Sequence, residues 1–283
     1  VARAVVPHGA PELVLAIRLG ATTCLLAGAS AFAGQSWPRG RRLGLHLAAG
    51  AMLHGLYLTV SWWSVSRGMP AGIMSLLGAT QPLMVAVASV ALLGDRLPGR
   101  SWLGLFIAIT GVVCVLMPAI ESSGTTAVPV IPVLAGIFAI IAMTGGTLIQ
   151  RGQIASDPIL MSGAAQNLGG TIVAVSATLI VGEWRWDNDP ILWIGLGWSV
   201  LGLSAGGLSL LVWLVRHQGP TAMSMLLLLV PPLAAIEAWA LFGEQLGPVQ
   251  LIGFALALGG VLLGRSQGRA KVRDAAAELV EPA

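Results

Sequence analysis

Charge is scarce in this sequence. Only 10% of its 283 residues are Asp, Glu, Lys or Arg and 56% are apolar, a balance that excludes an ordinary soluble domain and places the chain among membrane-embedded ones. The strict alternation over about ten residues that marks a membrane β-barrel strand is missing, because the apolar segments run on for roughly twenty residues. Cysteine is nearly absent. Cys24 and Cys114 both lie inside apolar stretches, which excludes a disulfide framework or thiolate metal site and leaves them as small core residues. HExxH, a Walker loop, GxGxxG and Cys/His metal clusters are missing too, so no metal or cofactor is expected. The net charge of +3 is carried by loops between apolar runs, where it reads as a topology signal and gives no reason to expect a nucleic-acid partner.

What is present is a series of nine apolar runs, at about 12–34, 43–66, 70–93, 101–118, 130–150, 158–181, 191–215, 220–242 and 248–264, each long enough to cross a bilayer as a helix. The breaks are short and turn-like (SWPRGRR, GDRLPGR, FGEQLGP), and no soluble domain is inserted. The polar tail 266–283 reads as a short cytosolic helix or as disorder. The expected fold is therefore an all-α polytopic membrane protein, with the lipid bilayer as its permanent surroundings.

The stretch Arg67 to Leu116 returns near the C-terminus as His217 to Gly264. Each copy has a proline opening an apolar segment (Pro70; Pro220), a mid-segment proline (Pro82; Pro231 with Pro232) and an acidic hairpin (Asp95; Glu244). Gly104 pairs with Gly253, Gly111 with Gly260 and Arg67 with Arg216, all at one offset, so the chain reads as a duplication. The second half has five spans and the first only four; the opening VARAVVPHG reads as the exit of a helix and a loop, so the sequence is expected to lack its first span, and the complete protein to have ten. The expected units are a first repeat at 1–124, a second at 125–265 and the tail at 266–283. With the tail cytosolic, eleven Lys and Arg fall on the inner side and three (Arg3, Arg67, Arg185) on the outer, which predicts a cytoplasmic C-terminus. An odd number of spans per half then puts the two copies in opposite orientations, as two inverted five-helix repeats.

These residues carry a family resemblance. PELVLAIRL at 11–19, SRGMPAGIMSLLGATQPLMVAVASVALLGDRL at 66–97 and EAWALFGEQL at 237–246, followed by GFALALGGVLL, resemble the EamA-type permeases of the drug/metabolite transporter superfamily. The resemblance runs from Ala10 to Gly264 and implies a ten-helix permease of two inverted repeats that carries metabolites, amino acids or drugs, often outward. It specifies fold far better than substrate. The hairpin acid after the fourth family helix is often Glu, and here it is Asp95.

Ionisable groups inside spans cost about 2.5–3.5 kcal/mol on insertion scales and are functional candidates by default. Arg18 lies about 10 Å from the outer face and Glu237 about 9 Å from the same face, so their depths permit a salt bridge. Glu237 is the candidate for proton coupling or for binding a cationic group, whereas Arg18 reads first as a packing ion pair and second as a gating partner. Pro82 and Pro231 bend equivalent helices beside the expected central cavity, and Gln81 is either a polar contact there or part of a packing kink. His54, Tyr57 and Ser61 fall at i, i+3 and i+7, one helix face, which nominates His54 and Tyr57 as cavity-lining. His46 reads as interfacial, and Trp62, Trp63, Trp184, Trp186 and Trp193 as an aromatic belt; Trp213 could belong to a belt or a site. Gln166 and Asn167 match Arg18 in the other half and are either an inner polar gate or interhelical hydrogen bonds. Gly202-Leu203-Ser204-Ala205-Gly206 has a G-x-S-x-G pattern, but a nucleophile elbow needs a strand-to-helix turn with His and acid partners. Within a span, Ser204 reads instead as a cavity or packing residue.

The expected function is an alternating-access secondary transporter, an exporter, of a small neutral, zwitterionic or amphipathic metabolite such as an amino acid or drug-like compound. It would sit in a bacterial inner membrane as a monomer or homodimer, with no enzyme activity and protons as the candidate coupling ion. The alternatives are a nucleotide-sugar or lipid-linked sugar carrier of the same fold, which would need more basic residues than Arg18, and a membrane-embedded serine hydrolase using Ser204.

Overall fold

The computed structural model describes residues 1–94, 98–121, 130–207, 210, 233, 236–237, 239–241, 243 and 247–265, and the regular elements within them are helices. They are α1 (Ala2–Val5), α2 (Pro11–Phe32), α3 (Gly40–Ser66), α4 (Ala71–Ala79), α5 (Gln81–Leu93), α6 (Gly99–Glu121), α7 (Val130–Gln150), α8 (Ile159–Val181), α9 (Pro190–Gly197, continuing as Trp198–Gly206) and α10 (Pro248–Arg265). Five apolar segments of 21–27 residues among the described ones are long enough to cross a membrane. Large apolar side chains such as Phe106, Ile131 and Ile180 lie on the outside. In water that surface would be a liability; against hydrocarbon it is the natural exterior.

The helix ends follow local chemistry. Pro11 and Pro190 open α2 and α9 from positions whose N–H groups have no helical partner, and the Asp189 side chain accepts a hydrogen bond from Ile191 N at 2.7 Å. Gly94 and Gly182 close α5 and α8 with φ of 72° and 71°. Between α4 and α5 the helix breaks at Thr80, one residue before Gln81-Pro82, because proline cannot donate the next helical hydrogen bond. At the break Thr80 donates to Leu77 O twice, from Oγ1 at 2.7 Å and from its N–H at 3.1 Å.

Two stretches of the spans are π-helical, Ala51–Leu56 within α3 and Trp198–Gly206 ending α9. The 149-residue offset that relates Gly104 to Gly253 carries 51–56 onto 200–205, inside the second π stretch, and α2 onto α8. The wide turns are thus one such offset apart in the chain.

Glycine sets the closest helix approaches. On α6 and α10, a Cβ at Gly104 would meet the backbone of Gly260 and Gly264, and one at Gly111 the backbone of Gly253 and Ala257. As α6 advances its partner numbers fall, so the two helices run antiparallel, with small residues allowing backbone-to-backbone contact. Gly50 of α3 and Gly169 of α8 play the same part, the first against Gln166 and the second against Leu47. Around these seams two main apolar cores form. One joins α3, α4, α6, α7 and α10 through residues such as Met69, Ile73, Val115, Ile140 and Ala257; the other gathers Val5, Leu15, Leu19, Trp62, Ala174 and Leu192 around α2.

Candidate functional site

The polar interior is organised around α2. Arg18, seven residues past Pro11, is partly buried; its Nε atom is buried with no hydrogen-bond partner, and its guanidinium carbon lies 5.9 Å from the centre of the Trp62 ring. One turn further, buried Thr22 donates to Ser204 Oγ at 3.2 Å, and Ser204 Oγ donates to Ser199 O at 3.1 Å inside the π-helical end of α9. On the α3 side His54 packs where α2 and α8 meet: a Cβ added to Gly170 would stand 2.8 Å from His54 Cβ and 3.2 Å from Leu19 Cδ1. Arg18, Thr22 and Ser204 therefore form a polar row along α2, with Trp62 and His54 beside it.

Several expectations change in this geometry. Arg18 makes no ion pair among the described residues, and Glu237, an exposed helical residue, makes none either, so the structure does not pair them. Equal depth was insufficient because depth leaves open which way each helix turns its side chain. His54 and Tyr57 do not share a face. The π turn between them shifts the register, and Tyr57 packs with the α4–α7 core near Gly78, away from His54. Ser61 is buried with an unpartnered hydroxyl. His46 is not interfacial but fully buried, because Asp157, in the loop before α8, reaches back to it. Trp62 is 7% exposed and packs in the α2 core, whereas Trp184 and Trp193 are exposed as belt residues should be. Gln81 donates to Thr147 Oγ1 at 2.9 Å and so ties the Pro82 break to α7. Gln166 is buried and accepts from Gln150 at 3.4 Å, while Asn167 spends its amide on Gly163 O of its own helix at 2.8 Å. Pro231, Pro232, Trp213 and the hairpin acids Asp95 and Glu244 lie outside the described residues.

The two ends of the bundle differ. At the end that the charge count assigns to the cytosol, Asp157 accepts from both Arg42 and His46, the latter at 2.9 Å, and the Asp157 side chain is 7% exposed. Gln35 accepts from Met161 N at 3.1 Å beside it. These contacts tie α2 and α3 to the start of α8. At the opposite end a cavity of about 740 Å³ opens between α1, the start of α2, the end of α3 and the loop before α9. Its backbone frame is a clamp: Arg185 O accepts from Ala10 N at 2.8 Å, His8 O accepts from Asp187 N at 2.7 Å, and the Arg185 guanidinium donates to Pro7 O and Val6 O. His8 and Asp189 approach to 3.7 Å across it. The offset that maps α2 onto α8 also maps His8 onto Asp157, so both loops entering these helices carry a histidine–aspartate contact, at opposite ends.

Residues that the sequence did not flag are Thr22, Arg42, Glu12 and Asp157. The visible signal for Glu12 was a carboxylate beginning a span; for Asp157 there was none, since its partners lie 111 and 115 residues away.

A bundle of membrane-length helices, apolar outside, with a polar row along a central helix and a cavity at one end, defines a multi-pass helical membrane transporter. The EamA-like transporter family matches residues 1–117 and 130–264. The chain belongs to that family. It is 25% identical over 271 residues to a probable terminal-alkyne amino-acid exporter of Streptantibioticus cattleyicolor, covering 91% of this chain and 85% of that one. An uncharacterized protein of Pseudomonas aeruginosa is 30% identical over 195 residues; the match spans 68% of this chain and 63% of the relative's length. An uncharacterized transporter of a Synechocystis species is 26% identical over 228 residues, 72% of this chain and 66% of its own. A solved crystal structure shares the fold with a TM-score of 0.58 at 16% identity, covering 90% of this chain and 89% of that one.

Proposed function

We propose that this chain is an outward-working secondary transporter of a small zwitterionic, neutral or amphipathic metabolite of amino-acid type. It alternates access between two inverted five-helix repeats, 1–124 and 125–265, with the tail 266–283 on the cytosolic side of a bacterial inner membrane. The observation that carries the substrate class is Arg18: a guanidinium in the apolar interior, without an ion-pair partner among the described residues and with a buried, unpartnered Nε. Leaving a charge so placed is costly, and a substrate carboxylate is the group that answers it. Trp62 beside it and Thr22 and Ser204 along the same row would hold an amphipathic body. The exporter relative supports amino acids and the outward direction.

Three features support the inverted halves: the family matches two segments of similar length, the π stretches correspond, and the antiparallel α6–α10 seam exchanges its two glycine contacts under the same offset. The Asp157 and His8 contacts are then the inner and outer latches of one cycle. Glu237, an acid in an apolar helix, is the place we assign to proton coupling.

The test is efflux of radiolabelled amino acids from proteoliposomes. Wild-type protein should empty vesicles of an aliphatic amino acid, and Arg18→Ala should slow this about 10- to 100-fold, the loss of a charge-assisted hydrogen bond, while keeping the melting temperature. Normal efflux by Arg18→Ala would remove the carboxylate role; failure to move any amino acid would remove the substrate class.

A further inference from the structure

The cavity at the outer end contains a group that the transport row does not use. Glu12, in the first turn of α2, lines it, yet Glu12 is only 2% exposed and its Oε2 atom is buried with no hydrogen-bond partner. A carboxylate at a helix N-terminus gains from the helix dipole. That gain explains tolerance of the charge but leaves one oxygen unanswered, and a buried acceptor without a donor is costly, the more so when charged. Three arginines line the cavity, Arg3, Arg67 and Arg185; none of them is without a partner, and none donates a hydrogen bond to Glu12 Oε2. Arg67 contacts Glu183 at 3.4 Å and stacks over Trp63 at 5.6 Å, and Arg185 is held by the carbonyls of Val6 and Pro7. The rest of the lining is mixed: Glu183 and Ser66 share it with the apolar Val6, Pro11, Val65 and Ile191.

A cavity of about 740 Å³ whose lining combines a carboxylate that keeps one oxygen unpartnered, apolar side chains and arginines is complementary to one kind of molecule. We propose that this outer cavity is a binding site, separate from the Arg18 row, for a small aliphatic molecule bearing an ammonium group: Glu12 Oε2 takes the ammonium, Val65 and Ile191 take the aliphatic body, and Arg67 takes a carboxylate when the ligand is a zwitterion. The site does not depend on the transport reading. It would bind amines from the outer side whether or not the chain exports amino acids.

The experiment is calorimetric titration of the full chain in detergent with n-butylamine, L-norvaline and butyrate. Butylamine and norvaline are expected to bind and butyrate not, and Glu12→Gln should weaken both by more than about tenfold without lowering the melting temperature. Ser66→Trp, at an exposed lining residue, should block both probes by filling the cavity and serves if Glu12→Gln does not fold. Arg67→Gln should weaken norvaline and spare butylamine. The proposal fails if no amine binds, if butyrate binds as well as butylamine, or if Ser66→Trp leaves butylamine binding unchanged. It also fails if Arg18→Ala rather than Glu12→Gln abolishes amine binding, an outcome that would place the ligand in the central row and leave the transport reading standing.

Discussion

The α6–α10 seam gives the sharpest test of the architecture. A Cβ at Gly111 would stand 2.5 Å from Gly253 O, and one at Gly260 would stand 2.5 Å from Gly104 O. Ordinary contact begins about 1 Å further out, and the obstructing atoms are backbone, so a larger residue forces the helices apart rather than moving one side chain. A gap of about 0.5–1 Å already forfeits a quarter to a half of each dispersion contact along a seam. Overpacking typically costs about 1–3 kcal/mol, and because backbone blocks both sides, Gly111→Val and Gly260→Val should each reach the top of that range. Gly104 and Gly260 share one contact, so their double alanine variant should lose less than the sum of the singles. Gly104 and Gly253 serve contacts about 10 Å apart along the helix and should add. Gly28→Ala, where an added Cβ meets nothing within 4 Å, is the control and should be neutral. The assay is thermal unfolding in detergent followed by size-exclusion chromatography. A Gly111→Val protein that melts with wild type would refute the close approach, and with it the pairing of helices on which the inverted arrangement rests.

Two further outcomes follow from the Asp157 contacts and from the apolar acid. Asp157→Asn leaves fully buried His46 without its carboxylate acceptor and should destabilise the protein by about 1–3 kcal/mol, the scale for a buried polar group that loses its hydrogen-bond partner; it should also raise thiol labelling of a cysteine introduced at Gln35, and unchanged labelling would show that Asp157 is no latch. Glu237→Gln should fold normally and flatten the dependence of efflux on pH, measured in vesicles with an imposed pH gradient; a wild-type pH profile would exclude Glu237 as the proton carrier.

Much of the fold was legible because membrane helices declare themselves by length. The run at 130–150 is the helix Val130–Gln150, and that at 158–181 differs from Ile159–Val181 by one residue. The break at Pro82 was equally readable, since it follows from what proline lacks, whereas the glycines were matched only by their offset and their close approach came with the packing. The site was less so. A π turn has no side-chain signature, so the face drawn through His54 and Tyr57 assumed a 3.6-residue period that the backbone abandons between 51 and 56. The burial of His46 depends on a loop aspartate 111 residues away, and Arg18 and Glu237 matched in depth but not in direction. Periodicity and depth fix position along a helix; long-range partners and rotation about its axis come only with the packing.

The chemistry gathers where the two copies disagree. Under the offset that superposes the glycines, Arg18 meets Asn167, His54 meets Leu203, Tyr57 meets Gly206, Glu12 meets Met161 and Glu237 meets Ala88. The matched residues are those that shape helices: Pro82 with Pro231, Gly104 with Gly253, Gly111 with Gly260. If the proposed inverted repeats hold, a duplicated frame would supply two interchangeable arrangements of nearly equal energy, as the proposed alternating access requires, but a symmetric site would bind equally from both sides and give no direction. On that reading, placing Arg18, Glu12 and Glu237 in one copy each would make the two ends chemically different. The buried His46–Asp157 contact at one end and the half-exposed His8–Asp189 contact at the other express the same asymmetry. Exchanging Arg18 and Asn167 in one protein would therefore keep the frame and move the cation to the other half; efflux that persisted unchanged in that exchange would mean that the divergent residues do not set direction.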